Sequence, residues 1–235
     1  MQQIFAVIVM AVEKTFIVEK FCPVCEKQFR VVKTRSRIMV NKRDDDACTH
    51  YADFNPYYYT VWTCEHCGFA ADEATFTSKI PDRHLEILRT ILMLKDNGVP
   101  FVEERTFHDA VEAFNLALKY MAIIHGKSSK RAKYAHQLAW IYREAGDKQA
   151  EAEALKQAAE FYEDALMRES FPIGELTDNA VTYLVAAIYN RLGDRKKATI
   201  YLSRLISDQS VREREPRIYD KARELWSDMR SKSRR

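Results

Sequence analysis

The chain has 235 residues, 47% of them apolar and 30% charged, with a formal net charge of +3. That length allows one large domain or two small ones with a buried core, and the charge is too mild to demand nucleic acid as a partner. No apolar run reaches the roughly 18 residues of a membrane span, so no membrane partner is expected.

The first apolar run is Ile4–Val12, "IFAVIVMAV". No basic residue precedes it, no small-residue cleavage pattern follows it, and Glu13 and Lys14 come at once, which argues against a secretory signal. It reads as an N-terminal strand, or as residues ahead of a start at Met10. A reducing, cytoplasmic location follows, where C-x-x-C pairs are metal-binding or catalytic more often than they are structural disulfides.

Up to about Thr77 the sequence reads as β. "KTFIVEKF" (14–21), "FRVVKTRSRIMV" (29–40) and "YYYTVWT" (57–63) are short runs of β-branched and aromatic residues. Between the last two lies "NKRDDDACTHYADFNP" (41–56), polar and ending in Asn-Pro, which reads as a loop. From Pro81 the period changes. Leu85, Leu88, Ile91 and Leu92 fall on one helix face, and Asp96 to Pro100 stop that helix. Five more helices are expected at 107–125, 131–145, 148–168, 176–191 and 196–207. A last helix at 217–230 carries Ile218, Tyr219, Ala222, Leu225, Trp226 and Met229 on one face, as suits the end of a stack.

The helices contain a repeat. "LAWIYREAGDKQAEAEALKQA" and "VAAIYNRLGDRKKATIYLSRL" align Tyr142 with Tyr189 and Gly146-Asp147 with Gly193-Asp194, an offset of 47 residues. Ala110, Phe114 and Ala117 repeat the second-helix pattern upstream. The segment resembles tetratricopeptide repeats, whose unit of about 34 residues places a small residue, Tyr, Gly-Asp and then Ala at set intervals. The unit here is longer, and Glu151 stands where that pattern wants alanine. Each Gly is expected at the turn between paired helices, where a positive φ is inexpensive only without a Cβ.

Four of the five cysteines form two C-x-x-C pairs, Cys22/Cys25 and Cys64/Cys67, separated by the 38 residues 26–63. Two-residue spacers let both sulfurs of a pair point at one ion, and four thiolates close a tetrahedron. The gap exceeds the roughly 15–20 residues of the common ribbon, yet a strand out, a loop and a strand back would fill it. Gly68 suits the turn after Cys67. The expected cofactor is structural Zn2+ stapling a ribbon too small to fold alone. Spacing does not separate zinc from iron, so a rubredoxin-like electron carrier stays open. Paired sites at strand ends with no βαβ context argue against a redox motif of the thioredoxin kind. His66, inside the second pair, is expected to face solvent. The fifth cysteine, Cys48, sits beside Asp46, His50 and Tyr51 as a reactive thiol, a substitute metal ligand or a small buried hydrophobe.

A catalytic constellation is missing. The six glycines include no G-x-G, and there is no G-x-S-x-G and no H-E-x-x-H. A non-enzymatic role is therefore expected, with the acids Asp44 to Asp46 read as a solvated run. Two binding surfaces suggest themselves. On a continuous strand Lys33, Arg35 and Arg37 would emerge on one face, a stripe for nucleic-acid phosphates beside Tyr57, Tyr59 or Trp62 as stacking platforms. Stacked helix pairs expose their first helices on a concave side, where Lys133, His136, Trp140 and Arg143 of one unit would join Tyr183, Asn190 and Arg191 of the next. That surface suits an unidentified protein or peptide of acidic character. The competing reading makes Trp140 an ordinary core residue.

At "CPVC", "RSRIMVNKRDDDACTHY", "NPYYYTVWTCEHCGFAADEATF" and the helical remainder, the chain resembles an uncharacterised bacterial family, a domain of unknown function, that joins a zinc-ribbon-like N-terminus to tetratricopeptide-type helices. The resemblance implies all four cysteines on one metal, a cytoplasmic bacterial protein and a start near Met10. It carries over no catalytic residue. The fold expected is α+β: a small β-rich zinc ribbon over 1–79, then an all-α tetratricopeptide-like repeat array over 80–235 that ends in a capping helix.

Overall fold

The computed structural model describes residues 13–93 and 98–232, the side chain of Lys232 excepted. The run Ile4–Val12 with Met10, part of the expected helix stop (Asp96 and Asn97) and the tail from Ser233 lie outside these residues. The protein is α+β, with small antiparallel hairpins followed by helices.

The first hairpin pairs β1 (Thr15–Phe21) with β2 (Gln28–Thr34), Thr15 opposite Thr34 and Phe21 opposite Gln28. The second pairs β3 (Val40–Arg43) with β4 (Thr49–Tyr51) across a register shift between Val40 and Lys42. The third pairs β5 (Val61–Thr63) with β6 (Ala70–Asp72). Each is a separate two-stranded sheet, and such hairpins are marginal alone, so their order depends on what they pack against.

Three expectations for this half are corrected. The run 29–40 is not one strand: β2 stops at Thr34, so Arg35 and Arg37 lie beyond its end and the alternation that would align them with Lys33 is broken. The run 57–63 begins as a 3-10 turn, Pro56–Tyr59, started by Asn55, whose side chain accepts from Tyr57 N. The polar stretch 41–56 is not simply a loop, because it folds as the second hairpin.

The helices are α1 (Glu73–Thr77), α2 (Asp82–Met93), α3 (Phe107–Ile123), α4 (Ser128–Ala145), α5 (Lys148–Arg168), α6 (Asp178–Arg191), α7 (Arg195–Ser207), α8 (Gln209–Arg214) and α9 (Pro216–Lys232). Sequence periodicity finds all of these except α1 and α8, which at five and six residues are too short to show a stripe. The Gly-Asp pairs both end and start helices. Gly146 and Gly193 take φ of +77° and +82° as the chain leaves α4 and α6. Asp147 and Asp194 then accept from Ala150 N and Lys197 N, capping α5 and α7. Two residues thus close one helix and open the next, which keeps each pair antiparallel.

Two apolar cores form, and α4 divides them. Tyr134, Leu138 and Ile141 face a core that also holds Phe29, Val61, Trp62, Phe69, Leu88 and Phe114. Ala132, Ala135 and Ala139, on another face of α4, join a core with Leu155, Val185, Ile188, Leu202 and Leu225. The first core runs straight across residue 79 and welds the hairpins to α2, α3 and α4. On α9, Ala222, Leu225 and Met229 are buried as the stripe predicts.

Candidate metal centre and concave groove

Each cysteine pair occupies the turn of a hairpin, Cys22/Cys25 between β1 and β2 and Cys64/Cys67 between β5 and β6. The two turns have the same form. Cys22 N donates to Lys27 O (3.0 Å) and Glu26 N to Cys22 O (2.8 Å). Cys64 N donates to Phe69 O (2.9 Å) and Gly68 N to Cys64 O (2.8 Å). The fourth residue after each leading cysteine turns left-handed, Glu26 at φ +61° and Gly68 at +72°. Glycine is legible for that position in the second turn, whereas Glu26 gives no such signal in the first.

The four Sγ atoms lie within 4.8 Å of one another, with Cys22 to Cys67 and Cys25 to Cys64 each at 3.7 Å. A tetrahedron of sulfurs about 2.3 Å from a central Zn2+ has edges of about 3.8 Å. The donor set therefore fits a four-coordinate ion, and the spacing is far beyond a disulfide bond. Without a cation the thiols must share protons. Side-chain hydrogen bonds from Cys22 and then Cys67, helped by the backbone N–H groups of Cys67 and His66, lower Cys64 to about 2. The hydrogen bond with Cys64 raises Cys22, and those with Cys22 and Cys64 raise Cys67. One thiolate is stabilised at its neighbours' expense, a conflict that a bound cation resolves. His66 does not enter this cage: its Nε2 meets Gln28 O at 2.8 Å. The four cysteines can hold one metal ion.

The model of a family described as "Uncharacterized protein conserved in bacteria (DUF2225)" matches residues 18–229. The chain belongs to this family. No curated protein and no solved structure matches it. In this DUF2225 member no helix among the described residues is long and apolar enough to cross a membrane.

The second place where distant residues converge is the face of α4 and α6. His136, Trp140 and Arg143 share one side of α4, and the expected open groove there is corrected: the tip of the β3–β4 hairpin sits in it. Arg143, 5% exposed at its side chain, holds Asp46 through both carboxylate oxygens, Nη1 to Oδ1 at 2.9 Å and Nη2 to Oδ2 at 2.5 Å. Its Nη1 also reaches Asp44 Oδ2 (2.9 Å) and its Nε reaches Glu151 Oε1 (2.7 Å). Arg191 closes the group by donating to Glu151. Glu151, expected as alanine, is thus a buried acid that joins two cations. Burial alone would raise Asp46, but hydrogen bonds from Arg143 and then His136 outweigh it and hold the carboxyl far below the usual range.

The reading of Asp44 to Asp46 as a solvated run is corrected too. Asp46 is 2% exposed, Asp44 is half-buried and accepts from His50 Nε2 (2.7 Å), and only Asp45 faces solvent. His136 is buried, and Trp140 is half-buried between the His136 ring (4.7 Å) and the Tyr57 ring (5.0 Å). Tyr183 is buried, Asn190 and Arg191 line the open part of the groove, and Lys133 pairs with Asp72 at 2.9 Å.

Cys48, in the turn of the β3–β4 hairpin, has no exposed surface, and burial pushes its thiol up to about 12, which opposes thiolate chemistry. Its sulfur falls near Asp44 and His50, but Arg143 already shares that carboxylate. Of the basic stripe, Lys33 pairs with Glu73 (2.8 Å) and Arg35 lies over the Phe16 ring (5.4 Å). Arg37 is exposed in the connection to β3.

Proposed function

We propose that the chain is a zinc-stabilised scaffold in which tetratricopeptide-like helix pairs bind another protein through the concave face of α4 and α6. The observation that carries this reading is the occupant already on that face. A segment with carboxylates at 44 and 46 is gripped by Arg143 and His136, so the face has the chemistry to hold an acidic chain. The four-sulfur cage supplies rigidity. With zinc in place, the two knuckles are fixed to each other and, through the shared core, to α3 and α4. Four cysteines leave no open coordination position, so the metal staples and does not react with substrate.

Affinity purification from the native cell, with and without Lys148→Glu and Arg195→Glu at the groove rim, tests the scaffold. A specific partner retained by the wild type and lost from the reversed-charge chain supports it, and a partner indifferent to the reversal refutes it. The absorption spectrum of the same preparation separates zinc from iron, since an iron tetrathiolate is coloured and a zinc one is not.

A further inference from the structure

The hairpin tip has the form of a bound ligand. Its strands, four and three residues long, pair with each other and with no third strand, and β3 is exposed along its length. Ala47, at the turn, takes φ +68°, a conformation that a Cβ disfavours. What ties the tip to the helices is Asp46 on Arg143 and His136 and Asp44 on Arg143, while behind it Thr49 N donates to Tyr57 Oη and His50 meets Glu144. Past the tip the groove continues as an open channel of about 740 Å³ bordered by Lys148, Asn190, Arg191 and Arg195. Take away the carboxylates of residues 44–46, and Arg143, His136, Arg191 and Lys148 remain, with Glu151 bonded to the two arginines and Glu144, Glu224 and Asp228 within electrostatic reach of the cluster.

The geometry points to an exchangeable carboxylate site. Arg143 binds acids two residues apart and His136 meets the second of them, the Asp44–Asp46 tip of the same chain is the internal ligand, and an acidic segment of a partner protein takes the site by exchange. The inference rests on the scaffold reading above and gives that surface its chemistry. Simple opening of the hairpin would strand a buried guanidinium and is costly. Exchange replaces one aspartate–arginine pair by another, so a competitor of the same chemistry shifts the hairpin outward by its own affinity for the vacated site. Cys48 reports the shift. It belongs to the hairpin's own turn and is fully buried while the hairpin is docked, and in the metal-loaded chain the other four cysteines are ligands.

The probe is a synthetic peptide of residues 42–51 carrying Cys48→Ser, with a control peptide in which Asp44→Asn and Asp46→Asn are added. Both are presented to the metal-loaded full chain, and alkylation of Cys48 is followed by mass spectrometry. The acidic peptide is expected to speed alkylation by about tenfold or more, and the amide peptide to leave it unchanged. A chain carrying Asp44→Asn and Asp46→Asn has lost its internal competitor and is expected to bind the acidic peptide about tenfold or more tighter than wild type. Adding Arg143→Gln should abolish that gain.

Equal, slow alkylation of wild-type Cys48 with and without saturating acidic peptide would overturn the exchange, and that readout decides alone if the amide variant fails to fold. A native partner still captured by the Arg143→Gln chain would also overturn it while leaving the scaffold reading intact.

Discussion

Replacing Arg143 by leucine removes one guanidinium that three carboxylates share, Asp44, Asp46 and Glu151. The losses are unequal. Asp44 keeps His50 and Lys42, and Glu151 keeps Arg191, whereas Asp46, 2% exposed, is left with His136 and the Cys48 N–H, each at 3.4 Å. Stranding a buried charge costs about 3–5 kcal/mol, and the surviving partners place this case near the lower end, at about 3 kcal/mol. Adding Asp46→Leu removes the stranded charge, so the double variant should recover about 2 kcal/mol of the loss. Arg143→Lys should recover little, because an ammonium cannot grip both oxygens of Asp46. Urea unfolding at neutral pH, followed by circular dichroism with the slope checked for constancy, measures each value. A cost below about 1 kcal/mol for Arg143→Leu, the range of exposed ion pairs, or strict additivity in the double variant, would refute the buried clamp.

Two buried acids set a pH dependence. Asp46 and Asp72 are both held well below the usual carboxylate range, by Arg143 and by Lys133 respectively against the opposing effect of burial. Their contribution is therefore fully present above about pH 4 and is lost as the pH falls through the folded-state values. Asp46→Asn should flatten the acid limb of stability against pH, and an unchanged limb would contradict the assignment. Tyr134→Phe should cost about 1–3 kcal/mol, because it leaves the buried Asp72 N–H without the Tyr134 oxygen it meets at 3.0 Å; a loss within error of zero in urea unfolding would show that this N–H finds another acceptor. Gly146→Ala should cost about 1–2 kcal/mol from backbone strain alone, since φ is +77° and no atom lies within 4 Å of an added Cβ; a neutral result would mean that the turn relaxes.

Sequence patterns reach local features well and distant partnerships poorly. The span of α5 is readable to the residue because its caps are local: Gly-Asp before it and a break in the stripe after Arg168. The cage is readable because each half is written in four consecutive residues. The acidic tip is different. Asp46 meets Arg143 across 97 residues and Asp44 meets it across 99, while locally "KRDDDACT" has the composition of a solvated loop. A signal did exist. An acid at Glu151 where the repeat wants alanine, facing basic positions at 143 and 191, marks a buried charge cluster in need of further acids. The apparent strand 29–40 misleads because β-branched and basic residues continue past Thr34 after the ladder ends. The 3-10 turn at Pro56–Tyr59 hides in an aromatic run that favours strand on propensity.

Metal analysis of the native chain purified without chelator tests the central claim most directly, with urea unfolding followed by circular dichroism before and after metal removal. The account predicts one tetrathiolate-bound ion per chain, lost in Cys64→Ser, and a clear fall in the unfolding midpoint once the ion is stripped. Protein that carries no metal, or whose stripped form unfolds at the same urea concentration as the loaded one, would contradict it.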